Sequence, residues 1–172
     1  MTNLWRTVSE NDQITGNPAS SITLVEYGDY QCPHCAHAHP LVKRLLAERG
    51  TVFLFVFRNF PLQKIHPAAF MAAAAAEAAG RQGSFWAMHD FIFENQKKLM
   101  VKKLPEFAAA LELNMEQFLL DLESDDIKNK IESDFESGIR SGVNATPTFY
   151  INGEKLTYDT TYESLLKAID LH

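Results

Sequence analysis

The chain has 172 residues, which is the size of one ordinary domain and is long enough to bury a substantial core. Its 22 acidic residues outnumber its 16 basic ones and give a net charge of −6, which argues against a nucleic-acid partner. No apolar run approaches the roughly 18 residues of a membrane-spanning helix, so we expect no membrane insertion.

The first 21 residues are polar and lack a basic stretch followed by an apolar core, so no signal peptide is visible. Met1 reads as a native start. We therefore expect a cytoplasmic protein, with a periplasmic or other extracytoplasmic location as the alternative if an export signal was removed before the numbering begins.

A β-α-β unit is predicted at the start of the chain. Residues 22–27 (ITLVEY) form a strand, and a helix follows that Pro33 can begin, since its missing N–H costs nothing at that position. Residues 51–57 (TVFLFVF) form a second strand, whose lack of alternation predicts burial on both faces. This order predicts a parallel pair with a right-handed crossover.

The only two cysteines, Cys32 and Cys35, lie at the start of this first helix. Unpaired N–H groups and the helix dipole favour a thiolate at Cys32, whose pKa falls to about 3.5–7.5 in such settings. One helical turn brings the two thiols within bridging distance. Two cysteines in a chain without an export signal indicate catalysis, redox sensing or metal binding, and not a structural disulfide framework.

A block of helices is predicted between about residues 63 and 142. Pro67 begins an alanine-rich helix, Ser84 can cap the next one, and Asn114 with Gln117 resembles a capping box. A fourth helix carries an i, i+4 apolar stripe that Gly142 can terminate, formed by Ile127, Ile131, Phe135 and Ile139. We expect these apolar stripes to belong to the core.

The last part of the chain returns to strands. Residues 148–151 (TFYI) form a strand, and Asn152-Gly153 predicts a type I′ turn into residues 154–156. A final amphipathic helix carries Leu165, Leu166 and Ile169. The order βαβ, helical block, ββα predicts a single α/β domain over residues 1–172, in which the helical block is an insertion between the two halves.

Two segments resemble the DsbA-like thiol–disulfide oxidoreductases of the thioredoxin superfamily. Residues 25–35 (VEYGDYQCPHC) are similar to the family's active-site stretch, and residues 142–153 (GVNATPTFYING) to its cis-proline segment. Residues 58–62 (RNFPL), His66-Pro67 and residues 85–89 are similar to its helical insertion. The likeness is to short members without an export signal, and similar modules occur fused to sodium/proton antiporters.

The resemblance implies a thioredoxin fold and a dithiol–disulfide oxidoreductase without a dissociable cofactor. Cys32 would be the attacking thiol and Cys35 the resolving thiol. Thr146 and Pro147, joined by a cis bond, would receive an extended substrate chain beside them, and Pro33 would also contact it. Base rates alone oppose the cis form, which occurs in about 5–6% of X-Pro bonds.

Two further residues are candidates for the catalytic machinery. His34 lies between the thiols, where the family tunes the redox potential, and its ring could donate a hydrogen bond or positive charge to the Cys32 thiolate. Glu26 interrupts an apolar row of its strand, six residues before Cys32, where the family often places a buried acid. Burial would raise its pKa and make it a proton donor or acceptor for Cys35, whereas an end-of-strand position would leave it in water.

Other readings of the cysteine pair remain open. Cys35 and His39 are i, i+4 neighbours that could bind a metal with Cys32, although His37 points elsewhere and no fourth ligand of a closed zinc site is evident. A redox-sensing or metal-binding module of the same fold is therefore one alternative. A glutathione-linked isomerase is another, which the intact cysteine pair disfavours.

The expected partners are thiol- or disulfide-containing proteins, with glutathione or a thioredoxin-type reductant as a possible source of electrons. A reducing cytosol would keep the pair mostly as a dithiol, which favours reductase or isomerase work over net oxidation.

Overall fold

The computed structural model describes residues 3–157 and 159–172. Met1, which we expect to be the native start, lies outside these ranges. The strands of the described chain form one sheet in the order β1-β3-β2-β4-β5. Their bounds are Gln13–Gly16 (β1), Thr23–Gly28 (β2), Leu54–Asn59 (β3), Thr148–Ile151 (β4) and Glu154–Lys155 (β5).

The predicted βαβ unit is confirmed. Strand β2 is parallel to β3, and the helix α1 (Pro33–Arg49) connects them. Strand β4 lies antiparallel to β2 on its other side, and Asn152 and Gly153 both have positive φ in the predicted turn to β5. The short strand β1, which pairs antiparallel with β3, was not predicted because only Ile14 in it is a strongly β-forming apolar residue.

The helical block also has the predicted place, between β3 and β4. No helix of the described residues is both long and apolar enough to span a bilayer. The helices after α1 are Ala69–Gly80 (α2), Phe85–Glu94 (α3), Leu104–Ala110 (α4), Met115–Leu122 (α5), Asp125–Arg140 (α6) and Tyr162–Asp170 (α7), with two 3₁₀ turns at Gln96–Lys98 and Val101–Lys103.

Each face of the sheet packs against its own layer. Alternate residues of the central strands, such as Leu24 and Phe57, join the core formed with α1, α7 and the alanine-rich α2. The other set, including Val25 and Tyr27, packs beneath α6. The Glu26 side chain lies on the same face of the sheet as Leu24 and Phe57, because its register partners are Phe57 on β3 and Phe149 on β4.

Two details of the helical prediction are wrong. Ile139 is 54% exposed, because the buried face of α6 turns to polar and small residues, where Ser137 Oγ lies 2.8 Å from the Tyr27 hydroxyl. Ser84 precedes α3 as predicted, but among the described residues its side chain forms no capping hydrogen bond. Asn114 does cap α5 by accepting from the Gln117 N–H.

Candidate active site

Cys32 is the N-cap residue of α1, and Pro33 occupies the first turn. The Cys32 side chain sits near the surface but is largely covered, whereas Cys35, one turn later, is fully buried. Both are free thiols. Cys32 therefore lies at the start of the helix, and Cys35 lies in the apolar core between α1 and the sheet.

The environment of Cys32 favours its thiolate and lowers its pKa to about 5. The hydrogen bond from the Cys35 thiol is the largest cause, while burial opposes it. The Thr146 side chain and the backbone N–H groups of Cys35 and His34 lower the pKa further. A charged sulfur at the start of the helix is thus held by donors that converge on it.

Cys35 has the opposite character. Burial raises its pKa well above the ordinary value, and the hydrogen bond to Cys32 and the charges of Glu26 and Cys32 raise it further. The Asp29 backbone N–H, 3.4 Å from the Cys35 sulfur, acts weakly in the other direction. At neutral pH Cys35 is therefore a thiol that keeps its proton and donates a hydrogen bond to the Cys32 thiolate.

Glu26 is buried beneath the cysteine pair, 3% exposed, as the family likeness implied. Burial is the main cause that raises its pKa to about 8, and the negative charge of Cys32 adds to it. The carboxyl is consequently protonated for the most part at pH 7 while Cys32 is a thiolate. Because the two charges interact, discharging Cys32 makes Glu26 easier to ionise.

The Thr146–Pro147 peptide bond is cis and lies next to Cys32, as the family likeness implied. The Thr146 carbonyl oxygen is 3.4 Å from the Cys32 sulfur. Within the described residues the buried Thr146 hydroxyl has no hydrogen-bond partner of normal geometry, and the Thr146 side chain is close enough to Cys32 to lower its pKa. Pro147 is half-buried and leads directly into β4.

The two residues between the cysteines face outward. Pro33 and His34 are both exposed. Within the described residues the His34 ring forms no hydrogen bond, and it is the His34 backbone N–H that acts on Cys32. The structure thus shows a main-chain contribution of His34 to the thiolate, where the sequence suggested a contribution of the ring.

Asp29 is a central residue that the sequence analysis missed. One of its carboxylate oxygens accepts from the N–H groups of Gln31 (2.7 Å) and Cys32 (3.1 Å). The other accepts from the Leu62 N–H and lies 2.8 Å from His66 Nδ1. An acid just after a strand and before a helix start is the available signal, because Asp side chains there bond the backbone of the following turn.

Gln96 is a second residue that the sequence did not reveal. Its side-chain amide donates to the carbonyl oxygens of Tyr30 and Cys32, each at 2.9 Å. It lies in a 3₁₀ turn more than sixty residues away, and no motif marks it. The peptide unit of Cys32 is therefore held at its N–H by Asp29 and at its carbonyl by Gln96.

The histidines of the helices turn away from the thiols. His39 Nε2 lies 2.8 Å from an Asp90 carboxylate oxygen, and His89 Nδ1 lies 2.9 Å from the Tyr30 hydroxyl. Burial lowers the pKa of His89 to about 3, so it is neutral. His39, His89 and Asp90 form the one cluster of potential metal ligands among the described residues, and it contains neither cysteine.

Comparison with protein families gives one match that covers almost the whole chain. A family model described as thioredoxin matches residues 8–171. Among curated proteins, a Na(+)/H(+) antiporter NhaA of Salinispora tropica is 37% identical over 93% of this chain, and one of Herminiimonas arsenicoxydans is 40% identical over 92%. The match covers 24% and 26% of these antiporters, so the chain spans about a quarter of their length.

Solved structures are similar over the same extent. A thioredoxin-like oxidoreductase from Silicibacter pomeroyi is 26% identical with a TM-score of 0.83, and the match covers 95% of this chain and 92% of that one. BdbD from Bacillus subtilis, in its oxidised form, is 23% identical with a TM-score of 0.82, over 94% of this chain and 92% of its own.

Proposed function

Because the chain belongs to the thioredoxin family, we propose that it is a DsbA-like thiol–disulfide oxidoreductase, which exchanges dithiols for disulfides with protein substrates through Cys32 and Cys35. The observation that carries this proposal is the opposite acidity of the two sulfurs, with one pKa lowered to about 5 and the other raised. In such a pair, one sulfur is a thiolate that can attack a disulfide, and the other stays a protonated thiol until it resolves the mixed disulfide.

In the reductive direction, the Cys32 thiolate attacks one sulfur of a substrate disulfide. A bond forms between Cys32 and that sulfur, and the other substrate sulfur leaves as a thiolate that takes a proton from solvent. The converging donors around Cys32 make it a thiolate at neutral pH and also a good leaving group for the reverse reaction.

Resolution then uses Cys35. Its thiol loses a proton and attacks Cys32, which forms the Cys32–Cys35 disulfide and releases the reduced substrate as a thiolate. Glu26 would accept that proton, because its charge acts on Cys35 and its own pKa falls once Cys32 no longer carries a charge. Oxidation of a substrate dithiol is the same sequence in reverse.

The backbone at Thr146 would align the substrate. Its carbonyl is already 3.4 Å from the Cys32 sulfur, so an extended chain that pairs there places its own cysteine against the attacking atom. Glutathione or a thioredoxin-type reductant would then regenerate the dithiol. In a reducing compartment, reduction or isomerisation is the expected direction.

Trapping of mixed disulfides tests this function against a sensing module or a metal-binding module. Cys35→Ser should retain substrate proteins in reducible complexes, because the attack still occurs but cannot be resolved. Cys32→Ser, which keeps one thiol and serves as the matched control, should retain none. Equal trapping by both variants, or stoichiometric zinc that is lost with either cysteine, would contradict the proposal.

A further inference from the structure

The connection between α3 and α4 carries an unusual concentration of positive charge for an acidic chain. Residues 97–103 read KKLMVKK, within a protein of net charge −6. Lys103 is paired with Glu106 at 2.7 Å. Within the described parts of the chain, Lys97, Lys98 and Lys102 form no ion pair, and all three are exposed. Residues 96–103, the lysine segment, therefore present three cations that have no ion-pair partner in the described part of the chain.

Exposed apolar side chains accompany these charges. Met100 is 49% exposed and Val101 is 43% exposed at the tip of the same connection, between the two lysine pairs. Such a combination of apolar contact surface and unneutralised charge differs from an ordinary solvated helix face, where cations alternate with acids.

The lysine segment is joined directly to the reactive cysteine. Gln96, at its start, donates to the Cys32 carbonyl oxygen at 2.9 Å. Between α1 and this turn lies a cavity of about 340 Å³, lined in part by Ala36, Phe93, Gln96, Lys97 and Lys98. The Ala36 N–H donates a hydrogen bond to the Cys32 carbonyl oxygen. A group in this cavity is therefore in contact with the first turn of the active-site helix.

The charges around the cavity favour an anion. Glu94 and Asn95 complete its lining, and the Glu94 carboxylate is already bound by Lys43 at 2.9 Å. The remaining charged groups of the lining are Lys97 and Lys98. Ala36 and Phe93 make part of the lining apolar, which suits the stem of an amino-acid side chain.

We propose that the lysine segment, residues 96–103, is a docking surface for acidic residues that flank the reactive cysteine of the substrate protein. This inference rests on the proposed oxidoreductase function and adds a substrate preference to it. Carboxylates near Lys97 and Lys98 raise the encounter rate of acidic substrates, while basic flanks are repelled. Gln96 fixes the distance between this surface and Cys32, so the preference concerns residues close to the substrate's disulfide.

The test compares three peptides with the same internal disulfide and with Glu, Gln or Lys flanks. Their kcat/KM for reduction is measured with wild type, with K97E/K98E, and with K128E/K167E, a control that changes the net charge equally on α6 and α7. Bis(2-hydroxyethyl) disulfide, which is small and neutral, reports the basal reaction. Each peptide's rate with dithiothreitol corrects for its intrinsic reactivity.

Wild type and the control variant should prefer the acidic peptide to the basic one by about tenfold at low ionic strength, and K97E/K98E should lose or invert that preference. The preference should vanish in 1 M salt, where the Debye length is about 3 Å. The same order of peptides in both variants would overturn the proposal. Lysine-dependent binding to phosphatidylglycerol vesicles without peptide preference would also overturn it. No reduction of the neutral disulfide would reject the oxidoreductase function itself, and the docking surface with it.

Discussion

At the scale of single residues, the chemistry rests on how two identical side chains are placed. Cys32 is at the N-cap, where the thiol of Cys35 and nearby N–H groups donate to it, while Cys35 is enclosed in the core. The same burial that keeps Cys35 protonated makes it the donor that stabilises its partner. The pair works as a unit, so changes around either sulfur should alter both.

The Thr146 hydroxyl provides a direct test of this arrangement. Thr146→Val keeps the shape of the side chain and removes the buried hydroxyl, so the Cys32 pKa should rise. A full hydrogen bond to a charged group contributes about 1.5–3 kcal/mol, which limits the rise to about two pKa units. The ultraviolet absorbance of the thiolate against pH measures it, with Thr157→Val as the control. An unchanged midpoint would show that the hydroxyl does not reach the sulfur.

Glu26 should act on the second chemical step and not on the first. Glu26→Gln keeps the side-chain size but cannot take a proton, so the mixed disulfide should form at the normal rate and resolve at least tenfold more slowly. The wild-type rate of resolution should increase with pH up to the pKa of the Glu26 carboxyl. That pKa is about 8 in the reduced protein and lower in the mixed disulfide, where Cys32 carries no charge. The increase should be missing in the variant.

Rapid quenching followed by mass spectrometry separates the two steps across pH 6–9. Glu123→Gln, at an exposed position, is the matched control and should leave both rates unchanged. A Gln variant with the wild-type pH profile would remove Glu26 from the proton path.

At the scale of elements, the active-site helix is held by the loops around its N-terminus. Asp29 links the β2–α1 loop to the β3–α2 loop through Leu62 and His66, and Gln96 links it to the turn after α3. The helical block is thus attached to the cysteine motif by side-chain hydrogen bonds to the backbone, each from a different connection. These links explain why a loop residue without thiol chemistry can matter for the position of Cys32.

Asp29→Asn tests the strength of this attachment. One carboxylate oxygen accepts from the Gln31 and Cys32 N–H groups and the other accepts from the Leu62 N–H, so the amide NH₂ of Asn would face a donor whichever way it turns. We expect a loss of about 1–3 kcal/mol in the free energy of unfolding, measured in urea. Asp170→Asn, at an exposed ion pair with Arg49, should cost less than about 1 kcal/mol. Equal effects would show that Asp29 is not a structural acceptor.

The sequence was informative where local chemistry decides the structure. Pro33 after Cys32 marked the helix start, and Asn152-Gly153 marked the turn, because each restricts its own backbone. Glu26 could be picked out because it breaks an apolar alternation. Gln96 could not, since its role depends on a turn that the helical block brings to Cys32 from a distant part of the chain.

Ile139 is the converse case, a residue that the sequence predicts to be buried and that is exposed. Its i, i+4 spacing fits an apolar stripe, but the buried face of α6 near its end is occupied by Asp134, Ser137 and Gly138. An added Cβ at Gly138 would lie 2.6 Å from the Phe60 ring, so this part of α6 approaches the sheet too closely for a large side chain. Periodicity alone does not reveal such close approach.

At the scale of the whole molecule, the oxidation state is coupled to folding. The Cys32 pKa is about 5 in the folded chain, against an ordinary value of 9.0. The Cys32 pKa is thus lower in the folded protein than in the unfolded protein. The thiolate therefore contributes its full stabilisation of the reduced fold above the unfolded-state pKa, and this contribution is lost as the pH falls through the folded-state pKa. The oxidised form has no such group.

The stability of the reduced protein, relative to the oxidised protein, should therefore increase with pH between about 5 and 8. The slope has an upper limit of about 1.4 kcal/mol per pH unit, and the coupled ionisation of Glu26 reduces it. Urea unfolding of both forms at several pH values gives this difference, and groups distant from the cysteines cancel in it. A difference that is constant over this range would contradict a thiolate at Cys32.

Site-resolved alkylation tests the central claim, that Cys32 attacks and Cys35 resolves, most directly. Fully reduced protein is treated briefly with iodoacetamide at pH 4–10, and mass spectrometry measures the label on each cysteine separately. We predict that Cys32 is labelled with a midpoint near pH 5 and that Cys35 stays unlabelled until above pH 9. Preferential labelling of Cys35 in weak acid, or a Cys32 midpoint near its ordinary value of 9.0, would contradict the account.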